Sequence, residues 1–216
     1  MKSHVRIGTR GSKLALYQAE LVRSKLKSLY PLLEFELVKI HTKGDMIRHA
    51  AFGALGPGIF THEIEKALLE REVDLAVHSA KDLATKLPGG LAIGVALVLE
   101  DSRDCLVARD GRTLEQLALG SRIGTSSLRR RAQLKRMRPD LNVCEMRGNV
   151  DTRLKKIAGG EYDGAVLAYA GLIRLGLANL VTQVFDEWLF LPQAGQGVVA
   201  VELRAEDSEI EGLVRP

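Results

Sequence analysis

Residues 123–140, "IGTSSLRRRAQLKRMRPD", place Arg129, Arg130 and Arg131 in the first turn of an expected helix, directly after the hydroxyls of Thr125, Ser126 and Ser127. A helix N-terminus already carries partial positive charge, so arginines there are unfavourable unless something negative is held beside them. Three further polar clusters follow expected strands: Thr9, Arg10, Gly11 and Ser12; His78, Ser79, Lys81 and Asp82; and Arg147, Gly148, Asn149 and Arg153. Together they offer hydroxyls, backbone N–H groups at helix starts and several cationic side chains, a chemistry suited to multiple carboxylates or phosphates.

Plainer readings compete at each position. Ser126 or Ser127 can be a helix N-cap and nothing more. Lys81 and Asp82 can form an exposed ion pair worth little, and His78 at a strand end reads as structural. Residues 100° apart on a helix cannot all point one way, so one or two of the three arginines face a site and Arg131 is the bystander.

The charge distribution sharpens this. From Arg122 to Lys156 there are eleven Lys/Arg against three Asp/Glu, while the rest of the chain holds 20 basic and 24 acidic residues. A local cationic segment in a mildly acidic chain fits an anion site better than a generally basic surface.

The elements that must position these residues alternate. Expected strands are "HVRIGT", "LEFELVKIH", "VDLAVHS", "LAIGVALVL", "DCLVA", "SRIGT", "LNVCEMR", "DGAVLAYA" and the "GQGVVAVELRAED" segment, the last running into a polar stretch. Expected helices are "SKLALYQAELVRSKLKSL", with Leu14, Tyr17, Leu21 and Leu29 on its apolar face, "IFTHEIEKALLERE", "TLEQLA", the arginine helix and "VDTRLKKIA". A Gly-rich stretch over 43–58 reads as a long mobile loop, a length usually functional or disordered. The alternation implies an α/β fold with mixed, mainly parallel sheets, whose ligands bind beyond strand carboxyl ends. Pauses near Glu100–Arg103 and Pro192–Gly197 divide it into a discontinuous domain 1 (1–99 plus 197–216) and domain 2 (100–196), with an expected active-site cleft between them.

At 216 residues, the 46% hydrophobic and 27% charged composition is that expected of an ordinary soluble globular protein rather than a disordered one. No apolar run reaches membrane-spanning length and the start has no signal-peptide core, so the expected location is cytoplasmic. Cys105 and Cys144 form no metal-ligand spacing and read as small apolar residues; no metal is expected. There is no Walker sequence and no strand-borne GxGxxG. Nucleic-acid binding through the Arg122–Lys156 segment lacks a set of stacking aromatics, since Trp188 and most Tyr and Phe fall outside it.

Seven stretches, in order and over nearly the whole chain, resemble the hydroxymethylbilane synthase (porphobilinogen deaminase) family: "IGTRGSKLALYQAE", "GIFTHEIEKALLEREVDLAVHSAKDLATKLPGGL", "EDSRDCLV", "IGTSSLRRRAQL", "RGNVDTRLKK", "YDGAVLAYAGLIRLGL" and "LPQAGQGVVAVE". The resemblance implies two periplasmic-binding-protein-like domains and a cytoplasmic transferase of porphyrin and heme biosynthesis. Such an enzyme condenses four porphobilinogen units into 1-hydroxymethylbilane with release of ammonia. It implies Asp82 as the catalytic carboxylate. It also implies a dipyrromethane cofactor and linear pyrrole polycarboxylates bound by Arg10, Ser12, Lys81, Asp82, Thr125, Ser126, Ser127, Arg129, Arg130, Arg147, Arg153 and Arg174. Asn149 would shape its loop, Gly195–Gly197 the turn into the returning strand, and the protein would be a monomer.

Two departures accompany the resemblance. The sequence stops at "EDSEIEGLVRP", about where the family's third domain begins, so that domain and its cofactor-attaching cysteine are expected to be absent. The 43–58 loop has Pro57 and, after Lys43, no lysine until Lys66, where family members place a lysine near the active site. A fragment, a noncovalent or separately supplied primer, and a non-catalytic two-domain protein that binds pyrrole polycarboxylates all remain open.

Overall fold

The computed structural model describes residues 2–42 and 60–215; the loop expected over 43–58 lies outside the described residues. Along the chain run β1 (His4–Arg10), α1 (Lys13–Leu29), β2 (Glu34–Ile40), α2 (His62–Leu69), β3 (Leu75–Ser79) and β4 (Leu91–Leu99). Next come β5 (Asp104–Ala108), β6 (Arg122–Gly124), α3 (Leu128–Met137), β7 (Asn142–Cys144), α4 (Val150–Ala158), β8 (Gly164–Ala168) and α5 (Tyr169–Arg174). The chain ends with β9 (Gln183–Val184), β10 (Val198–Arg204) and α6 (Ser208–Val214).

Contacts separate two compact units, Met1–Leu99 with Val198–Pro216, and Glu100–Gly197. Their sheets share one plan, with orders β2-β1-β3-β10-β4 and β7-β6-β8-β5-β9. In each, four strands run one way and the strand in fourth place, β10 or β5, runs against them. The sheets are therefore mixed and mainly parallel. Central strands such as "LAVHS" and "DCLVA" are apolar almost throughout because both of their faces are covered. The first unit packs Val5, Ile7, Leu75, Val77, Val199, Val201 and Leu203 against Ala19, Val22 and Leu26 of α1. The second packs Leu106, Ile123 and Val166 against Leu134 and the stacked pair Phe185–Phe190, whose ring centroids lie 4.6 Å apart.

Four expectations need correction. The buried stripe of α1 is Gln18, Ala19, Val22 and Leu26, whereas Tyr17 and Leu29 are exposed. Its most buried positions include a small residue and a polar one, so the largest apolar side chains mark the wrong face. "TLEQLA" is a turn rather than a helix. Its backbone is satisfied from outside: the Gln183 Oε1 accepts from Leu114 N–H at 2.7 Å, and the Arg138 guanidinium donates to the carbonyls of Leu114 and Leu117. Strand "DGAVLAYA" ends at Ala168, and Tyr169 opens a helix instead; a continuous apolar run does not distinguish the two by periodicity. The polar tail contains α6, capped by Asp207, which accepts from Ile210 N–H, and packed through Ile210, Leu213 and Val214.

Candidate functional site

In the first unit, β1 and β3 are parallel neighbours, so their carboxyl ends deliver Arg10 and the Lys81–Asp82 turn to the same end of the sheet. Ser12 is the N-cap of α1 and accepts from Ala15 N–H at 3.2 Å. Capping uses an oxygen lone pair, so the hydroxyl proton remains available to an anion. The Arg10 guanidinium lies over the Phe60 ring, 4.2 Å from its centroid, which holds the cation by its face and turns its N–H edges aside from the ring. Lys81 and Asp82 sit half-buried on a single 3₁₀ turn, Ala80–Asp82, closed by Leu83 N–H donating to Ala80 O. Gln18 on α1 donates to Ser79 Oγ at 2.9 Å and braces this turn from the helix side. His78 is buried against Glu202 of β10, Nε2 lying 3.1 Å from Oε2, which makes it structural.

In the second unit, β6, β7 and β8 are parallel, and β5 starts where β8 ends, with Asp104 opposite Ala168. That register brings the 125–127 hydroxyls, Arg147, the start of α4 and Asp104 to one end of one sheet. Ser127 caps α3 by accepting from Arg130 N–H, so it too keeps its proton. Ser126 differs: its hydroxyl donates to Met146 O at 2.7 Å, so its side chain is not the free donor the sequence suggests. Thr125 is fully buried, its Oγ1 accepting from Ser127 N–H, and serves to shape the turn. A close approach requires Gly124, where a Cβ would press on the Met146 side chain.

The arginine run already has an internal anion. Asp104 is completely buried and takes Arg130 Nη2 at 2.7 Å on Oδ1 and Arg129 Nη2 at 2.6 Å on Oδ2. Burial alone would raise its pKa, but the charges and hydrogen bonds of Arg130, with Gln196 and Arg129, outweigh burial and hold it below the usual carboxylate range. Arg131 is exposed. Arg153 donates Nε to Gly148 O at 2.7 Å. Burial, with the neighbouring charges of Arg130 and Arg147, pushes its pKa down to about 10. Arg147 is paired with Glu145 at 2.7 Å. Arg174 is buried and donates to Gly197 O at 2.6 Å, which ties it to the returning turn. Asn149 is the N-cap residue of α4 without a side-chain cap bond, and Gly148 before it has φ +109°. Even with Asp104 and Glu145 counted, cations dominate this sheet end, and an anionic ligand carrying several carboxylates would relieve the repulsion on Arg153.

Asp104, Gln196 and Gln18 were not legible as site residues beforehand. The available signal for Asp104 was a single acid heading the apolar strand "DCLVA". Cys105 is buried, its thiol pushed up to about 12 chiefly by burial, and Cys144 is half-buried at the end of β7. Among the described residues no group of three or more His, Cys, Asp or Glu is placed to hold a metal ion.

The family model described as porphobilinogen deaminase, dipyromethane cofactor binding domain, matches residues 5–212. The porphobilinogen deaminase of Desulforudis audaxviator is 50% identical over 216 residues, covering all of this chain and 70% of that protein. That of Syntrophobacter fumaroxidans is 47% identical over 213 residues, covering 98% of this chain and 69% of that protein. In fold the chain is similar to the methionine-binding protein MetQ, with a TM-score of 0.61 at 15% identity over 99% of this chain and 89% of that one. A point variant of full-length BenM gives 0.57 at 14% identity over all of this chain and 67% of that one. The fold is thus periplasmic-binding-protein-like, and by sequence the chain belongs to the porphobilinogen deaminase family.

Proposed function

We propose that this chain carries the pyrrole-binding and catalytic parts of a hydroxymethylbilane synthase. Four porphobilinogen units are condensed head to tail, and each condensation releases ammonia. The observation that carries the reading is the cation-rich sheet end of the second unit, where Arg129, Arg130, Arg147 and Arg153 outnumber the internal carboxylates and the pKa of Arg153 is held at about 10. Every pyrrole of substrate and product bears acetate and propionate groups, which guanidinium forks bind as pairs. Carboxylates are bound in the first unit by Arg10, Ser12 and Lys81, and in the second by Arg129, Arg130, Arg147, Arg153, Arg174 and the Ser127 hydroxyl. Asp82 lies next to the reacting pyrrole. Its carboxylate stabilises the positive charge that grows on the ring nitrogen as ammonia departs, and takes up the proton lost when the new carbon–carbon bond rearomatises.

The residues fit a dipyrromethane as a polycarboxylate, held by the same guanidiniums. When bound, that group supplies the pyrrole end that primes the chain. Cys105 does not fit its thioether attachment, being buried in β5 with its thiol at about 12, and Cys144 is half-buried at the end of β7. A second reading is a protein that binds pyrrole polycarboxylates at the same cationic sheet end without polymerising them. Ammonia release on incubation with porphobilinogen, with and without added preformed linear tetrapyrrole, separates the two. In the enzyme reading Asp82→Asn abolishes release while binding of the tetrapyrrole persists. Equal loss of both would contradict the role given to Asp82, and absence of release from the native chain under both conditions leaves only the binding reading.

A further inference from the structure

The geometry points to Asp104 as the positioning residue of the anion site, a role that rests on the polycarboxylate reading and deepens it. Its two oxygens do different work. Oδ1 receives Arg130 Nε at 3.1 Å, Arg130 Nη2 at 2.7 Å and Gln196 Nε2 at 2.9 Å. Arg130 spends further N–H groups on Val166 O at 3.2 Å and Gln196 Oε1 at 3.4 Å. Most of its five donors are thus committed inside the protein, and it acts chiefly as a strut.

Oδ2 receives Arg129, through Nη2 at 2.6 Å. Arg129 also donates Nη1 to Leu191 O, and its Nε is buried without a hydrogen-bond partner among the described residues. Arg129 is the less buried of the two, its side chain 25% exposed against 9% for Arg130. Asp104 therefore fastens Arg130 with one oxygen and aims Arg129 with the other. A single negative charge between two guanidiniums leaves one positive charge for ligand and removes the rotamer freedom that an unpaired arginine would lose on binding. Gln196 completes the clamp by donating also to Ser102 O at 2.6 Å, which fixes the segment leading into β5.

Charge and position make opposite predictions for Asp104→Asn. The substitution adds one net positive charge to the site, so electrostatics alone would tighten anion binding. Loss of positioning weakens it, because Arg129 is no longer aimed and the amide of the new side chain turns a donor toward one of the guanidiniums.

The experiment is calorimetric titration of the full chain with benzenehexacarboxylate, an unreactive polycarboxylate, alongside porphobilinogen turnover, with folding checked by circular dichroism. Asp104→Asn is expected to bind the probe about tenfold more weakly than the native chain at the same salt. Gln196→Met, which leaves all charges in place, carries the test if Asp104→Asn does not fold, with weakening expected in the same direction. Unchanged or tighter binding in the folded variant overturns the inference alone, since the native chain still binds. A native chain that neither binds the probe nor consumes porphobilinogen overturns the polycarboxylate reading and this inference together.

Discussion

On the polycarboxylate reading, Arg153 is the residue where ligand affinity and the stability of the free chain pull against each other. Its folded-state pKa lies below the ordinary arginine value, first through burial and then through Arg130 and Arg147. For a base this sign means that the charged form is disfavoured in the native state, so at neutral pH, well below the folded-state value, the residue costs stability until an anion arrives. Arg153→Met should therefore raise the Tm of the ligand-free chain by about 2–4 °C, corresponding to roughly 1 kcal/mol, and weaken polycarboxylate binding. A thermal melt and a titration on the same sample check both signs; a lower Tm without ligand would show that the Gly148 hydrogen bond matters more than the repulsion. The arginine run was legible in sequence because the helix dipole makes such a first turn anomalous. Its internal partner was not. Asp104 lies 25 residues upstream of Arg129, and it takes the pairing of β8 with both β5 and β6 to bring its carboxylate to the start of α3.

Elements were legible where helix-forming composition ran long enough between turn signals, as in α1 behind its cap Ser12 and α4 from Val150 to Ala158. They were not where one signal stood alone: "TLEQLA" had periodicity but too few residues, and α5 was hidden in an apolar run continuous with β8. Element pairing also rests on buried carboxylates. Asp74, just before β3, accepts Arg6 N–H at 2.8 Å, Arg6 Nε at 3.2 Å and Lys2 Nζ at 2.6 Å, and so staples β1 to β3. Burial would raise its pKa, but Arg6 and Lys2 together bring it below the ordinary value, as Arg130 and its neighbours do for Asp104. A carboxylate depressed in the folded state contributes stability that is complete above the unfolded pKa, about 4, and is lost as pH falls through the folded value. Unfolding free energy should fall steeply below about pH 4. Asp74→Asn should be less stable at neutral pH and show a shallower acid limb. Urea melts from about pH 7 down to about pH 3 measure this, and an unchanged acid slope in the variant would refute the staple.

At the scale of the whole molecule, the strand in fourth place decides which parts of the chain can stand alone. The alternation of strands and helices made the α/β class legible, but periodicity cannot say that β10 inserts between β3 and β4 rather than adding at an edge. That insertion is long-range: Val201 pairs with Val77 on one side and Val95 on the other, and Val199, Val201 and Leu203 join the core with Val5 and Ile7. Arg204, nearly buried, donates to the carbonyls of Leu68 and Val73 and pairs with Asp207 at 2.6 Å, so the segment also seals α2 against the sheet. A fragment of residues 1–99 lacks all of this and would present two bare central edges on β3 and β4, a configuration that favours aggregation over folding. Residues 100–197 form a continuous segment with all five strands of their sheet and their own apolar clusters. Expressed separately, 100–197 should melt cooperatively, whereas 1–99 should be insoluble or lack a transition and recover one when joined by a short linker to 198–216. Far-ultraviolet circular dichroism melts of the three chains provide the measurement. A cooperative transition in 1–99 alone would mean that β3 and β4 can close on each other, and that β10 is an addition to a self-sufficient sheet rather than its keystone.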